Sequence, residues 1–231
     1  MEAEWRKLGR LFDPSAMSPW QQHYAFPATP FLRDERRLRL YCTFCDGETQ
    51  GRIGFVDVDP NDPSKVLHIS ETPILDVGLP GAFDEHGLLP THVMQHDDVI
   101  RMYYVGYQRG LRVPYHQFAG LAVSTDGGDS FFRHGNAPLI DRSDGEFQHR
   151  TSTFVRRIPS GYRMWYVGGS EWTEVNGKAM PIYPLRVMDS PDGIHWPTAG
   201  AISIPLDEPD EIAHGRPWIE EGDNGELHLL F

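Results

Sequence analysis

Residues 83–108 read FDEHGLLPTHVMQHDDVIRMYYVGYQ, and this stretch predicts two strands joined by a polar turn. An acidic, histidine-bearing approach leads through Pro90 into a short apolar run. The turn Gln95-His96-Asp97-Asp98 follows, and a second run ends in Tyr103-Tyr104. Runs of β-branched and aromatic residues bounded by turn clusters suit a pleated, half-buried strand. The pattern recurs as QHYAFPATPFLRDERRLRLYCTFCD at 22–46, EFQHRTSTFVRRIPSGYRMWYVGG at 146–169 and EIAHGRPWIEEGDNGELHLLF at 211–231. With Tyr41, Tyr104, Tyr166 and Leu230 taken as equivalent, the repeats lie 63, 62 and 64 residues apart. So even a period indicates one supersecondary unit used several times.

Helical signals are nearly absent, because 19 prolines and 23 glycines interrupt any 3.6-residue apolar period. Strands are predicted over 39–44, 53–58, 100–106, 118–124, 162–168 and 184–188. The second unit reads as four strands, 90–94, 99–107, 120–124 and 131–133. Between its last two strands lies STDGGDSF (124–131), and the third unit has DSPDGIHW (189–196) at the same place. The glycines suit turns of positive φ, and Phe131 or Trp196 can then pack between sheets. The first unit carries the longer VDVDPNDPSKVLH there.

Four-stranded antiparallel units at this period predict an all-β fold, a β-propeller with its blades around a channel. A sandwich or jelly roll has similar strand content but needs no even period. One domain is expected over 1–231, of about three and a half blades. EWRKLGRLF (4–12) reads as an N-terminal strand of the kind that closes such rings. The fourth unit stops inside its second strand at Phe231, so the expected ring is incomplete at the C-terminus, with its last strands missing or supplied by another chain. Open blade edges then favour a homo-oligomer.

Twenty-one Lys and Arg against 33 Asp and Glu give a net charge of −12. That sign argues against nucleic acid or an anionic membrane as main partner. The N-terminus lacks the apolar run of a signal peptide and no stretch is long enough to span a membrane, which predicts a cytoplasmic protein. Cys42 and Cys45 form a CxxC, but on a strand residues three apart face opposite sides, so buried thiols are expected.

RMYYVGY with GLAVSTDGGDSF, and YRMWYVGG with PLRVMDSPDGIHW, resemble the five-bladed β-propeller glycosidase-like superfamily. It includes glycoside hydrolase families 43, 32 and 130 and relatives among polysaccharide-biosynthesis proteins. WRKLGRLFDP followed by RLYCTFCDGETQGRIGFVDVD has the look of a first blade. The invertase-type WMNDPNG motif of family 32 is absent. Five blades would need roughly 80 more residues at this period. The resemblance implies a carbohydrate or small-molecule substrate and no nucleotide cofactor, but fold alone does not fix function.

In a propeller the innermost strands face the channel. Asp84 and Glu146 lie 20 residues, and Glu211 lies 19, before the matched Tyr104, Tyr166 and Leu230. Three carboxylates at one level suit a glycosidase: one as general acid, one as base or nucleophile, one tuning or holding. Acids in polar loops are otherwise simply solvated. A second series, His23, His86, His149 and His214, recurs every 63, 63 and 65 residues. Imidazoles at one level could share a divalent metal such as Fe, Zn or Ni, with Ca a further option, in a metalloenzyme of another class. The bland reading is that they bond sugar hydroxyls or align by chance. Asp46, Arg150, Trp172 and Arg216 are candidate substrate-binding residues: Asp46 for a hydroxyl or a turn cap, Trp172 for stacking beside Tyr183, and the arginines for a carboxylate or an anionic sugar. Thr91 and His92 would line the channel below. A non-catalytic sugar-binding propeller completes the set of expectations.

Overall fold

The computed structural model describes residues 7–14, 17–208 and 210–231. Among them are sixteen strands and no helix. The first unit holds β1 (His23–Asp34), β2 (Arg37–Cys45), β3 (Gly51–Val58) and β4 (Val66–Ile69). The second holds β5 (Gly87–His96), β6 (Val99–Arg109), β7 (Tyr115–Ser124) and β8 (Phe132–Arg133). The third holds β9 (His149–Ile158) and β10 (Gly161–Gly169), a separate hairpin of β11 (Glu171–Val175) and β12 (Lys178–Ile182), then β13 (Leu185–Ser190) and β14 (Ala201–Ile204). The fourth contributes β15 (Trp218–Glu221) and β16 (Leu227–Leu230).

Each of the first three units is an antiparallel meander. Neighbouring meanders touch by one short parallel pairing, Gly51 with Gly87 and Gln117–Phe118 with His149–Arg150. The result is a twelve-stranded sheet that does not close, with β15–β16 a sheet of its own. Of the N-terminal strand expected over 4–12, residues 4–6 lie outside the described residues and 7–12 form no strand. There Phe12 sets its ring edge-on to Phe44 at 6.3 Å.

The cores lie in the seams between units. Tyr41, Phe55, Phe83, Tyr104 and Phe131 fill the first seam, while Tyr103, Tyr162, Met164 and Tyr166 fill the second. Phe154, Trp165 and Leu185 pack with Ile219 of the fourth unit in the third. The matched tyrosines 41, 104 and 166 are all without exposure. The acidic turns carry the geometry expected of them, with Gly127, Gly128 and Gly193 at φ 76°, 89° and 74°. In each turn a serine hydroxyl, Ser124 or Ser190, accepts a backbone N–H three or four residues on. Asp126 and Asp192 each accept two more. The aromatic that follows then enters a seam, Phe131 in the first and Trp196 beside the second.

Bulges shape the inner strands. One extra residue on β5 at Thr91, and one on β9 between Thr151 and Phe154, break the pairing with β6 and β10. Bulges re-aim side chains, and here they bring Thr91 Oγ1 and Thr153 Oγ1 to 3.0 Å. Thr29 on β1 donates to Pro90 O at 2.9 Å. Thr29, Thr91 and Thr153 are thus a buried threonine series at intervals of 62 residues.

Candidate carbohydrate site

β1, β5 and β9 all begin opposite the ends of β2, β6 and β10, as the pairings His23–Cys45, Gly87–Tyr107 and His149–Gly169 show. One end of the molecule therefore collects the residues that the spacing singled out, but their environments differ.

The carboxylates separate. Asp84 has no exposure, and its Oδ2 accepts from Tyr104 Oη at 3.1 Å and Arg133 Nε at 2.8 Å. Glu146 is as deeply buried; its Oε2 accepts from Tyr166 Oη at 2.8 Å and Arg150 Nε at 3.0 Å. Each acid keeps one buried oxygen without a hydrogen bond, Asp84 Oδ1 and Glu146 Oε1, the latter 3.5 Å from Arg186 Nη1. Gly106 and Gly168 make this possible. A Cβ on Gly106 would lie 2.5 Å from the Asp84 Cβ, and one on Gly168 would lie 2.6 Å from Glu146 Oε2. Burial, then the neighbouring carboxylate, pushes the Tyr104 phenol up and the Tyr166 phenol up to about 12. The two phenols are therefore fixed as donors. Asp84 and Glu146 thus close the two seams with matched acid–tyrosine–arginine contacts.

Glu211 is different. Its side chain is one-third exposed, with Oε1 3.3 Å from His214 Nε2 and Oε2 accepting from Asp207 N at 3.0 Å. His214 Nδ1 accepts from Leu185 N at 2.9 Å, which leaves Nε2 as the protonated nitrogen facing Glu211.

The histidine series occupies four environments. His23 is exposed, and His86 is half-buried with Nδ1 3.6 Å from Glu85 Oε1. His149 and His214 are buried. Among the described residues no three His, Cys, Asp or Glu side chains come together as ligands for a metal ion. The four imidazoles therefore do not form the donor set of a shared axial metal. Cys42, pushed up to about 12 by burial, and the half-buried Cys45 are free thiols.

His149 stands out. It has no exposure, and neither ring nitrogen has a partner. Three aromatic rings enclose it, Trp172 at 5.1 Å and Tyr115 and Tyr183 at 5.7 Å each. The indole Nε1 of Trp172 and Thr151 Oγ1 are likewise buried and unpartnered. Buried polar atoms are otherwise nearly always paired, so a cluster of orphans is a feature to be explained. Burial pulls the imidazole down to about 4, which keeps it neutral at pH 7. Trp172 reaches it from the β11–β12 hairpin, which has no counterpart between β2 and β3 or between β6 and β7.

Of the remaining candidates, Asp46 caps a turn. Its Oδ1 accepts from Glu48 and Gln50 N–H, and its Oδ2 meets Arg52 Nη1 at 2.6 Å. Burial would raise this carboxyl, but Arg52 and the two amides hold it low. Arg150 is buried and spent on Glu146, Asp141 O and Pro197 O. Arg216 reaches Thr29 and the backbone of β5. His92 is buried against Phe154, at 4.1 Å between ring centres. The aromatic enclosure around His149 was only half visible in the sequence. Trp172 and Tyr183 stood out, whereas Tyr115 lies 34 residues away on another unit and carried no signal.

No family model matches the chain. The uncharacterized protein Rv1502 of Mycobacterium tuberculosis is 30% identical to it over 215 residues, covering 93% of this chain and 71% of that protein. The uncharacterized protein MT1551 of another strain of that organism matches to the same extent. The chain belongs to the same family as these two uncharacterized proteins. Among solved structures, a glycoside hydrolase superposes with a TM-score of 0.67 at 18% identity, covering 96% of this chain and 68% of that one. A thermostable family-43 glycoside hydrolase gives 0.61 at 15% identity, with 91% and 66% covered. The sucrose-6-phosphate hydrolase of Lactobacillus gasseri gives 0.60 at 17%, with 91% and 42% covered. These likenesses show the fold: the chain has the all-β architecture of the propeller-type glycosidases. Among the described residues no helix is long and apolar enough to cross a membrane.

Proposed function

We propose that this chain is a glycosidase-like, carbohydrate-active enzyme of five-bladed type that takes its sugar at the His149 end of the units. The observation that carries the reading is the buried, unpartnered imidazole of His149 enclosed by Trp172, Tyr115 and Tyr183. Sugars are held by aromatic faces together with a few placed hydrogen-bonding groups, and this cluster supplies both. Trp172 lies too close to His149 for a ring to pass between them, so the ligand enters as the β11–β12 hairpin swings aside.

Glycoside cleavage needs a proton donor and a second carboxyl across the scissile bond. Glu211 is the accessible acid of the three, and the Nε2–H of His214 faces its carboxylate. Asp84 and Glu146 can offer only their unpartnered oxygens. Their commitment to Tyr and Arg partners favours one further reading, a sugar-binding propeller without turnover.

A panel of oligosaccharides and aryl glycosides separates the two, with product release followed for the wild type and for Glu211→Gln. Turnover that falls by roughly 100-fold or more in the variant, at unchanged melting temperature, is expected for a general acid or base. Full activity in Glu211→Gln would remove Glu211 from the chemistry. Binding with no product from any glycan would support the non-catalytic reading.

A further inference from the structure

Arg216 lies two residues beyond His214, in the segment leading to β15, and crosses to the inner strands of the first two units. Its Nη1 donates to Ala28 O at 3.2 Å, and its Nη2 donates to Thr29 Oγ1 at 2.9 Å and Thr91 O at 2.8 Å. All three acceptors are neutral. A guanidinium has five N–H donors, so Nε–H and one Nη1–H remain, and the Nε atom is buried without a partner.

Other arginines of the molecule are treated differently. Arg39 meets Asp57 at 2.7 Å and Asp129 at 2.8 Å, Arg150 meets Glu146 at 3.0 Å, and Arg133 meets Asp84 at 2.8 Å. Arg101 also lacks a carboxylate, but it is sealed in a seam over the Tyr162 ring and donates to Asp192 O. Arg216 is half-buried and reachable from solvent. The ionisable groups beside it do not neutralise it. His92 is held neutral, pulled down to about 3 by burial and then by Arg216 itself, and burial keeps the Cys42 thiol protonated. Burial also pulls the guanidinium down to about 10. A desolvated charge with no counter-charge is costly, and the cost is relieved when an anion joins it.

A backbone pairing ties the segment before Arg216 to one wall of the His149 cluster. Tyr183, one wall of that cluster, donates its N–H to Ile212 O at 3.1 Å, and its carbonyl accepts from His214 N at 3.2 Å. Arg216 lies two residues after His214.

We propose that the sugar taken at this end is anionic, with a carboxylate or phosphate oxygen seated on Arg216. Guanidinium is suited to either group, and charge-assisted hydrogen bonds are about twice as strong as neutral ones. This substrate class rests on the carbohydrate reading above, with the His149 cluster holding the ring and Arg216 the charge.

The test is calorimetric titration of the wild-type chain with neutral oligosaccharides, matched uronate oligosaccharides, hexose phosphates and inorganic phosphate alone. At least one anionic sugar is expected to bind roughly tenfold tighter than its neutral counterpart, a difference of about 1.4 kcal/mol. The uronate and phosphate arms show which anion the site takes. Arg216→Gln is expected to abolish the preference while leaving neutral-sugar binding in place. Arg216→Lys keeps the charge and is expected to retain part of it, which also covers the case in which the glutamine variant fails to fold. A merely structural arginine would weaken neutral and anionic ligands alike. Equal wild-type affinity for neutral and anionic sugars overturns the proposal and leaves the carbohydrate reading standing. So does an anion preference that survives in Arg216→Gln. Binding of phosphate but of no sugar would instead defeat the carbohydrate reading, and this substrate class with it.

Discussion

Asp84 and Glu146 were picked out by their matched distance from a tyrosine, and that distance has a physical meaning. In each case the tyrosine on the second strand donates to the acid, and a glycine two residues further on leaves room for it. Removing one member of a buried ion pair costs about 3–5 kcal/mol. Asp84→Asn and Glu146→Gln, which keep the shape and the tyrosine bond, are expected to lose roughly 2–3 kcal/mol in urea unfolding. Glu211→Gln should change stability by less than about 0.5 kcal/mol, as its acid is one-third exposed. His92 and His149 set the acid limit. Both are pulled far below the ordinary imidazole value by burial, so below about pH 6.5 the unfolded chain binds protons that the folded chain does not. Stability is therefore expected to fall as pH drops from 6.5 towards 4, and His149→Gln should flatten that slope in thermal melts at pH 7, 6 and 5. The threonine series shows a limit of reading residues singly. Its interval of 62 was present in the sequence, but a threonine on a strand carries no chemical signal until bulges turn it towards its counterpart.

At the scale of elements, the strands were legible because apolar alternation and aromatic density mark the seam-facing positions whatever the tertiary context. The turns at 124–131 and 189–196 were legible for a local reason, since Ser, Asp and Gly satisfy the backbone within a few residues. Two things were not. The β11–β12 hairpin, EWTEVNGKAMPI, leaves the meander and has no run of more than two adjacent AVILMFWYC residues, and so it reads as a loop. The opening residues 7–12 have strand-like composition yet remain irregular, with Phe12 held by packing on Phe44 rather than by pairing. Because the hairpin is a separate two-stranded sheet, replacing residues 171–182 with a short turn should leave the meanders folded. Near-unchanged far-ultraviolet dichroism and a sugar affinity reduced by at least about tenfold are expected. Retained affinity would take Trp172 out of the site.

At the scale of the molecule, the repeat places chemistry as well as strands, though not as the period alone suggests. Equal spacing brings equivalent residues to one end, and each seam then decides whether a residue is buried or open. That is why four histidines at one interval stand in four environments, and why only Glu211 of the three acids is accessible. The His149 enclosure draws on β7, β9, the hairpin and the approach to β13, a convergence that no linear motif records. The central claim is that this enclosure binds sugar. The most direct measurement is a crystal structure of the chain soaked with an oligosaccharide that binds in solution. The account predicts a sugar ring against the Trp172 face, with a hydroxyl within hydrogen-bond distance of a His149 nitrogen and the hairpin displaced. A sugar seated elsewhere, with His149 still enclosed by its three aromatic rings, would contradict it.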